Sequence, residues 1–254
     1  MVQVSIITPC YNSAEFIAET IGAIQAQTFT DWELIITDDC SKDNTVEIIK
    51  KYIEKDVRIK LFQLEKNSGG GVARNNSIKM AQGRYIAFCD SDDRWYPTKL
   101  EKQIAFMKDN DCALSFTSYM TCNEVGNING IIVAPKEVSY RSNLRDCKIG
   151  CLTAIYDTAK VGKVFLPIIR KRQDWGLWIK VLQICKDAKG LKEPLAIYRL
   201  REGSISNKKI DLIKYNIGVY REVLGWSKLR SILFFIFAFL PAYIKKKLII
   251  RLYN

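Results

Sequence analysis

Short apolar runs alternate with segments of helical period through the first 110 positions. Residues 2–8, 32–37, 59–64 and 85–89 are runs of strand length, rich in branched and aromatic side chains, the pattern of buried strands. Between them, Ile17, Ile21 and Ile24, and then Val46, Ile49 and Ile53, recur at helical spacing. Asn12 with Glu15 and Asn44 with Glu47 offer cap-like pairs before these helices. Asn67-Ser-Gly-Gly-Gly71 precedes a helix over 72–80, and Pro97 reads as the first residue of another that runs to Lys108. This order predicts an α/β fold with a mainly parallel sheet, right-handed crossovers and helices on both faces. After Cys112 the alternation fades. Strands are predicted over 113–119, 131–134 and 195–200 and a helix over 175–184, with an irregular polar lip over 141–169.

In a parallel sheet all carboxyl ends lie on one edge, where open α/β folds bind ligands. Four polar elements fall there: Thr8-Pro-Cys-Tyr11-Asn12, Asp38-Asp39, the glycine loop, and Asp90-Ser-Asp92-Asp93. Clustered carboxylates suit Mg²⁺ or Mn²⁺, completed by substrate phosphates. An acidic turn before the Pro97 helix is the plainer alternative for the last of them.

Composition narrows the chemistry. The 254 residues contain no histidine, so histidine bases, triads and zinc sites are excluded and proton transfer falls to carboxylate, Lys, Tyr or Cys. Eight cysteines without a Cys-x-x-Cys read as small core residues in a reducing compartment; Cys147 and Cys151 leave pairing or metal ligation open. Met1 leads directly into a strand, without the apolar stretch of a signal peptide, so the expected location is cytoplasmic. Of the net charge of +12, six charges (Lys228, Arg230, Lys245, Lys246, Lys247 and Arg251) follow Glu222, after which no acidic residue occurs.

Single motifs remain ambiguous. Gly69-Gly-Gly71 matches neither a P-loop nor a dinucleotide fingerprint and reads alone as a flexible turn. Arg74 beyond it could reach an anion or be solvated. Asp39 could accept hydrogen bonds from a base or ribose, or belong to a capping turn. Asp174, in Gln173-Asp-Trp-Gly, is either the N-cap of the following helix or a base beside aromatic walls.

Taken together, Val4-Ser-Ile-Ile-Thr-Pro-Cys-Tyr-Asn12, Trp32-Glu-Leu-Ile-Ile-Thr-Asp-Asp39, Ala73-Arg-Asn75, Gly83-Arg-Tyr-Ile86, Asp90-Ser-Asp-Asp93, Gln173-Asp174 and Glu193-Pro-Leu-Ala-Ile-Tyr-Arg199 with Gly203-Ser-Ile-Ser206 resemble the family 2 glycosyltransferases of the GT-A fold. The resemblance spans residues 2 to about 207. It implies an inverting transfer from a nucleotide diphosphate-sugar, UDP by expectation, to a surface-glycan or lipid-linked acceptor. Pro9, Tyr11 and Asp39 would cradle the nucleobase, Arg74 and Asp90 would lie by the nucleotide and its ribose, and Asp92 would ligate Mg²⁺ or Mn²⁺ on the diphosphate. Asp174 would be the general base. Two positions depart from the family pattern. Gln173 replaces a frequent Glu, and Arg201 stands near a frequent histidine, where it could act as a fixed cation on the diphosphate.

The expected organisation is a catalytic domain over 1–222, with a nucleotide-binding half at 1–111 and an acceptor half at 112–222, followed by a basic apolar tail at 223–254. The apolar run 231–244 is shorter than the roughly 20 residues of a spanning helix. It either docks on the domain or lies in the interface of an anionic membrane, which would make the enzyme peripheral on the inner face of the cell membrane. A nucleotide-sugar-binding domain without turnover is the alternative function. Nucleic acid is not an expected partner, since the basic excess adjoins an apolar tail rather than aromatic platforms.

Overall fold

A computed structural model of the chain describes residues 2–201 and 209–244. β1 (Val4–Cys10), α1 (Ile17–Gln25), β2 (Trp32–Asp38), α2 (Thr45–Ile53), β3 (Ile59–Gln63), α3 (Gly70–Met80) and β4 (Tyr85–Phe88) follow in strict alternation. The four strands lie in the order β3-β2-β1-β4, all parallel. Every residue of β1, β2 and β4 is buried, so these strands read as largely apolar runs, with the buried Glu33 accepting from Ser5. Ile6, Leu34 and Ile36 pack against Ile17, Ile21, Ile24 and Ile49. Their neighbours Ile7 and Ile35 point the other way, towards Ile78 and Phe88. At about 1.5–3 kcal/mol per fully buried side chain, this two-faced core fixes the strand ends on one rim.

The second half completes the sheet with mixed pairing. β5 (Arg94–Trp95), α4 (Lys99–Asp109), β6 (Leu114–Cys122), β7 (Ile128–Ile132) and β8 (Glu137–Ser139) come first. They are followed by α5 (Tyr140–Arg145), β9 (Ile155–Asp157), α6 (Thr158–Val161), α7 (Gln173–Cys185) and β10 (Asp187–Arg199). β9 wedges antiparallel between β4 and β6, and β10 runs parallel to β6. The segment expected to be an irregular lip therefore contains a strand. Arg84, just before β4, fixes it by gripping the buried Asp157 at 2.6 Å.

Local expectations fail where a side chain has a distant partner. Asn12 caps nothing: it sits at φ 47°, accepts the Lys42 N–H at 2.8 Å and donates its own N–H to Ser41. That exchange joins the loops after β1 and β2. Asn44 holds the cap position of α2 without a side-chain bond, while Asp43 accepts the Thr45 N–H. Pro97 precedes α4 by two residues, and its carbonyl takes the Thr28 N–H. All eight cysteines are free, Cys147 and Cys151 included.

α8 (Lys209–Leu224) runs through the expected boundary at 222 and ends at Gly225, whose φ of 65° suits a helix stop. α9 (Lys228–Phe234) continues through a π-helical turn at Phe235–Phe239. Ser231, Phe235 and Phe239 face the domain; Phe239 lies 5.6 Å from Trp175, ring to ring. Leu229, Leu233, Ile236, Phe237, Leu240 and Ile244 remain exposed, Phe237 at 75 %. The tail thus docks by one face and presents an apolar stripe on the other. Among the described residues no helix is long and apolar enough to cross a membrane. Lys245 to Lys247, Arg251 and the Gly203-Ser-Ile-Ser206 motif lie outside the described residues.

Candidate active site

The strand ends open onto a cavity of about 810 Å³, a size suited to a small-molecule ligand. Pro9 and Tyr11 line it from the end of β1, Asp39 from β2, Arg74 from α3, and Asp90 and Asp92 from the turn after β4. Six of the eight residues singled out from the sequence therefore share one cavity.

Asp39 organises the glycine loop. Its Oδ1 accepts the Ser68 N–H at 2.6 Å and its Oδ2 the Gly69 N–H at 2.7 Å, while Asn67 donates to its carbonyl. Gly69 sits at φ +90°, where residues with a Cβ are strained. The loop read as a flexible turn is in fact anchored, and residues 67–72 form one wall of the cavity. Asp38 holds the neighbouring turn, accepting from both the N–H and the hydroxyl of Ser41.

The three carboxylates after β4 take different roles. Asp90 pairs with Arg74 at 2.5 Å. Burial opposes the Arg74 charge, but the adjacent Asp90 outweighs it and holds the guanidinium firmly protonated. Asp92 meets Arg201 at 3.1 Å. Burial and then the nearby Asp90 push its carboxyl up, against the pull of Arg201. Arg201 thus reaches the site through Asp92. Asp93 turns inward: its Oδ1 accepts the Arg199 N–H at 3.0 Å and its carbonyl accepts from Thr20. Burial pushes its carboxyl far up, so Asp93 ties β10 to the turn.

A second cavity of about 590 Å³ adjoins the first, and Arg74, Asp90, Arg170 and Gln173 line both. Asp174 lines the second with Tyr119 and Tyr198. Asp174 is not the N-cap of α7: Arg172 holds that position, and Asp174 falls in the first turn. Among the described residues its carboxylate has neither a hydrogen bond nor an ion pair. Gln173 packs between the two cavities. Its amide donates to the Ile169 carbonyl and lies where a Cβ on Gly71 would come within 2.7 Å. It forms a wall between the cavities. Arg170, Tyr119 and Tyr198 were not anticipated as lining residues. Lys171-Arg172 beside Gln173-Asp174 was the available signal for the first, and nothing local marked Tyr119.

Residues 5–156 match glycosyl transferase family 2. Over 221 residues the chain is 44% identical to TuaG of Bacillus subtilis (strain 168), a glycosyltransferase provisionally assigned to teichuronic acid biosynthesis; the match covers 87% of this chain and 88% of the relative. WfgD of Escherichia coli, a UDP-Glc:alpha-D-GlcNAc-diphosphoundecaprenol beta-1,3-glucosyltransferase, is 38% identical over 212 residues, 83% of this chain and 82% of the relative. Among solved structures, S. aureus TarS 1-349 in complex with UDP-GlcNAc matches with a TM-score of 0.71 at 24% identity, over 90% of this chain and 69% of the other. The mannosyltransferase PcManGT of Pyrobaculum calidifontis, in complex with GDP-Man and Mn²⁺, matches with a TM-score of 0.67 at 15% identity, over 93% and 70%. These structural likenesses establish the GT-A fold. The family match runs through the strand ends that line the first cavity, and the chain belongs to glycosyl transferase family 2.

Proposed function

We propose that this glycosyltransferase inverts configuration as it moves a sugar from a UDP-sugar to a glycan or lipid-linked acceptor. The observation that carries the reading is Asp174: an unpaired carboxylate in the second cavity, beside the wall it shares with the first. The donor nucleotide occupies the first cavity, its base against Pro9 and Tyr11 with Asp39 accepting its imide N–H, and its ribose near Asp90 and Arg74. The acceptor hydroxyl lies at Asp174. As its oxygen bonds to the anomeric carbon from the face opposite the diphosphate, the bond to the diphosphate oxygen breaks. The hydroxyl proton passes to Asp174 and UDP leaves. WfgD, whose own donor is UDP-Glc and whose acceptor is a lipid diphosphate, supports both assignments by its name.

The residues fit a divalent metal. Asp92 with Asp90 beside it supplies hard oxygen donors, and among the described residues no third carboxylate, thiol or imidazole completes a cage. Mg²⁺ takes such sites with one or two carboxylates and the substrate's phosphates. Asp92 would hold Mg²⁺ or Mn²⁺, which supplies charge neutralisation for the departing diphosphate. Arg201 is the chain's own cation at the same place.

Supplied with UDP-Glc and a GlcNAc-diphosphate lipid, the enzyme should release one UDP per bond formed and give a product of opposite anomeric configuration by NMR. Retained configuration overturns the mechanism. UDP-sugar binding without transfer to any of a panel of acceptors returns the chain to a binding role. The exposed stripe of α9, flanked by Lys228 and Arg230, supports placement on the inner face of the cell membrane. Flotation with anionic vesicles should capture the full chain and lose one ending at Gly225; equal recovery of both refutes that placement.

A further inference from the structure

The second cavity carries more positive charge than glycosyl transfer uses. Arg170, Lys171 and Arg172 line it, and among the described residues none of them pairs with a carboxylate. The other arginines around the site are paired: Arg74 with Asp90, Arg94 and Arg199 with Glu19, Arg201 with Asp92. Of the acids lining this cavity, Asp90 belongs to Arg74 and Asp93 to the Arg199 N–H. Only Asp174 is left to face three cations. Arg170 is exposed, but Lys171 and Arg172 are half-buried, which sets them apart from a loop of solvated cations. Lys171 lies 5.6 Å from the Tyr215 ring. Arg172 is held at φ 65°, a conformation that costs an ordinary residue about 1–3 kcal/mol, and its Nε is buried without a partner.

We propose that Arg170, Lys171 and Arg172 form a phosphate site and that the acceptor is a phosphorylated sugar, its phosphate or diphosphate about one sugar ring from the attacking hydroxyl. The proposal rests on Asp174 as the base that marks where the hydroxyl lies. Arg172 precedes Asp174 by two positions, at most about 7 Å of chain, which matches the span of one ring. Guanidinium groups bind phosphate oxygens through paired, charge-assisted hydrogen bonds. Tyr119 and Tyr198, with ring centres 6.2 Å apart, give the sugar an apolar wall. The phosphate takes no part in bond making, so its contacts govern acceptor affinity and not the chemical step. A lipid-diphosphate headgroup and a soluble sugar phosphate present the same chemistry here.

Inorganic pyrophosphate is the direct probe. Titrated calorimetrically in metal-free buffer into the full chain saturated with UDP, it should bind, and Lys171→Gln should weaken that binding at least fivefold. Lys171 lines only the second cavity, so UDP affinity should be unaltered, which also shows that the variant folds. The double variant Arg170→Gln/Lys171→Gln should abolish pyrophosphate binding. No binding to the UDP-saturated chain, or binding indifferent to Lys171→Gln, overturns the site. Competition then separates the sources. Equal displacement by short-chain and polyprenyl sugar diphosphates assigns the contact to phosphate alone, and a preference for the polyprenyl form assigns it to a lipid headgroup. Asp174→Asn serves as the control for the underlying reading. If it retains transfer while pyrophosphate still binds, the base assignment fails and the phosphate site stands.

Discussion

The two cavities share a wall but are finished differently. In the first, every lining charge except Arg170, which both cavities share, already has a partner within the chain: Asp39 on two backbone N–H groups, Arg74 on Asp90, Asp92 on Arg201. In the second, Asp174, Arg170, Lys171 and Arg172 form no ion pair among the described residues. A pre-paired cradle fixes its groups before the ligand arrives and so binds with little reorganisation. An unpaired carboxylate is free to take a proton, and unpaired cations are free to take a ligand's anion. On the proposed function, this contrast separates a donor-binding cavity from one that holds the base and the acceptor.

The sharpest way to break this division is to damage each cavity alone. Asp174→Asn keeps shape but cannot accept the proton, and loss of a general base costs about 10²–10⁴ in rate. Transfer should fall by that amount while UDP affinity is preserved. Asp92→Ala should do the reverse at the first step, weakening UDP binding and removing its sensitivity to EDTA. If Asp174→Asn weakens UDP binding as much as Asp92→Ala does, the cavities are one site and the comparison fails.

A smaller effect should come from their common wall. Gly71→Ala places a Cβ within 2.7 Å of the Gln173 amide, the far end of a flexible side chain, which must shift and reshape the wall beside Asp174. A misplacement of about 1 Å at a reacting group costs up to about 10²-fold, so transfer should drop within that limit. Gln173→Ala added to Gly71→Ala removes the colliding amide and should restore most of the loss. Neighbours in contact couple in this way; strictly additive effects would show that the wall does not link the cavities.

The first cavity was also the legible one. β1, β2 and β4 are buried on both faces, so burial wrote itself into the sequence as largely apolar runs, and parallel topology then gathered Pro9, Asp39 and Asp90 on one rim. What was illegible depended on partners far along the chain. Asn12 looks like a cap until Lys42 claims its side chain. β9 is three residues long and has no period to detect; it exists because β4 and β6 flank it and Arg84 grips Asp157. Asp174 was found by resemblance, since its residue type alone favoured a cap that Arg172 in fact occupies. Tyr119 reaches the second cavity only because β6 and β10 lie side by side.

Lys99 sharpens the comparison most gently, because it is an unpaired cation that is not a site. It is fully buried, donates to Gln103 Oε1 at 2.5 Å and lies over the Trp95 ring. What separates it from Lys171 is access: it lines neither cavity. With no carboxylate partner among the described residues, burial lowers its pKa from 10.5 to about 7. The unfolded chain then binds the proton more tightly than the folded one. The resulting cost to stability is fully present below pH 7, shrinks as pH rises from 7 towards 10.5, and is absent above that. Replacing a buried charge by an apolar residue of similar volume is neutral to stabilising by about 1–4 kcal/mol. Lys99→Met should therefore raise Tm at pH 7, by roughly 2–4 °C for each kcal/mol gained, with transfer rates unchanged. By pH 10 most of that difference should be gone. A Tm difference that stays constant from pH 7 to pH 10 would mean that Lys99 keeps its charge in the core, and that burial without a partner is tolerated here for a reason other than neutralisation.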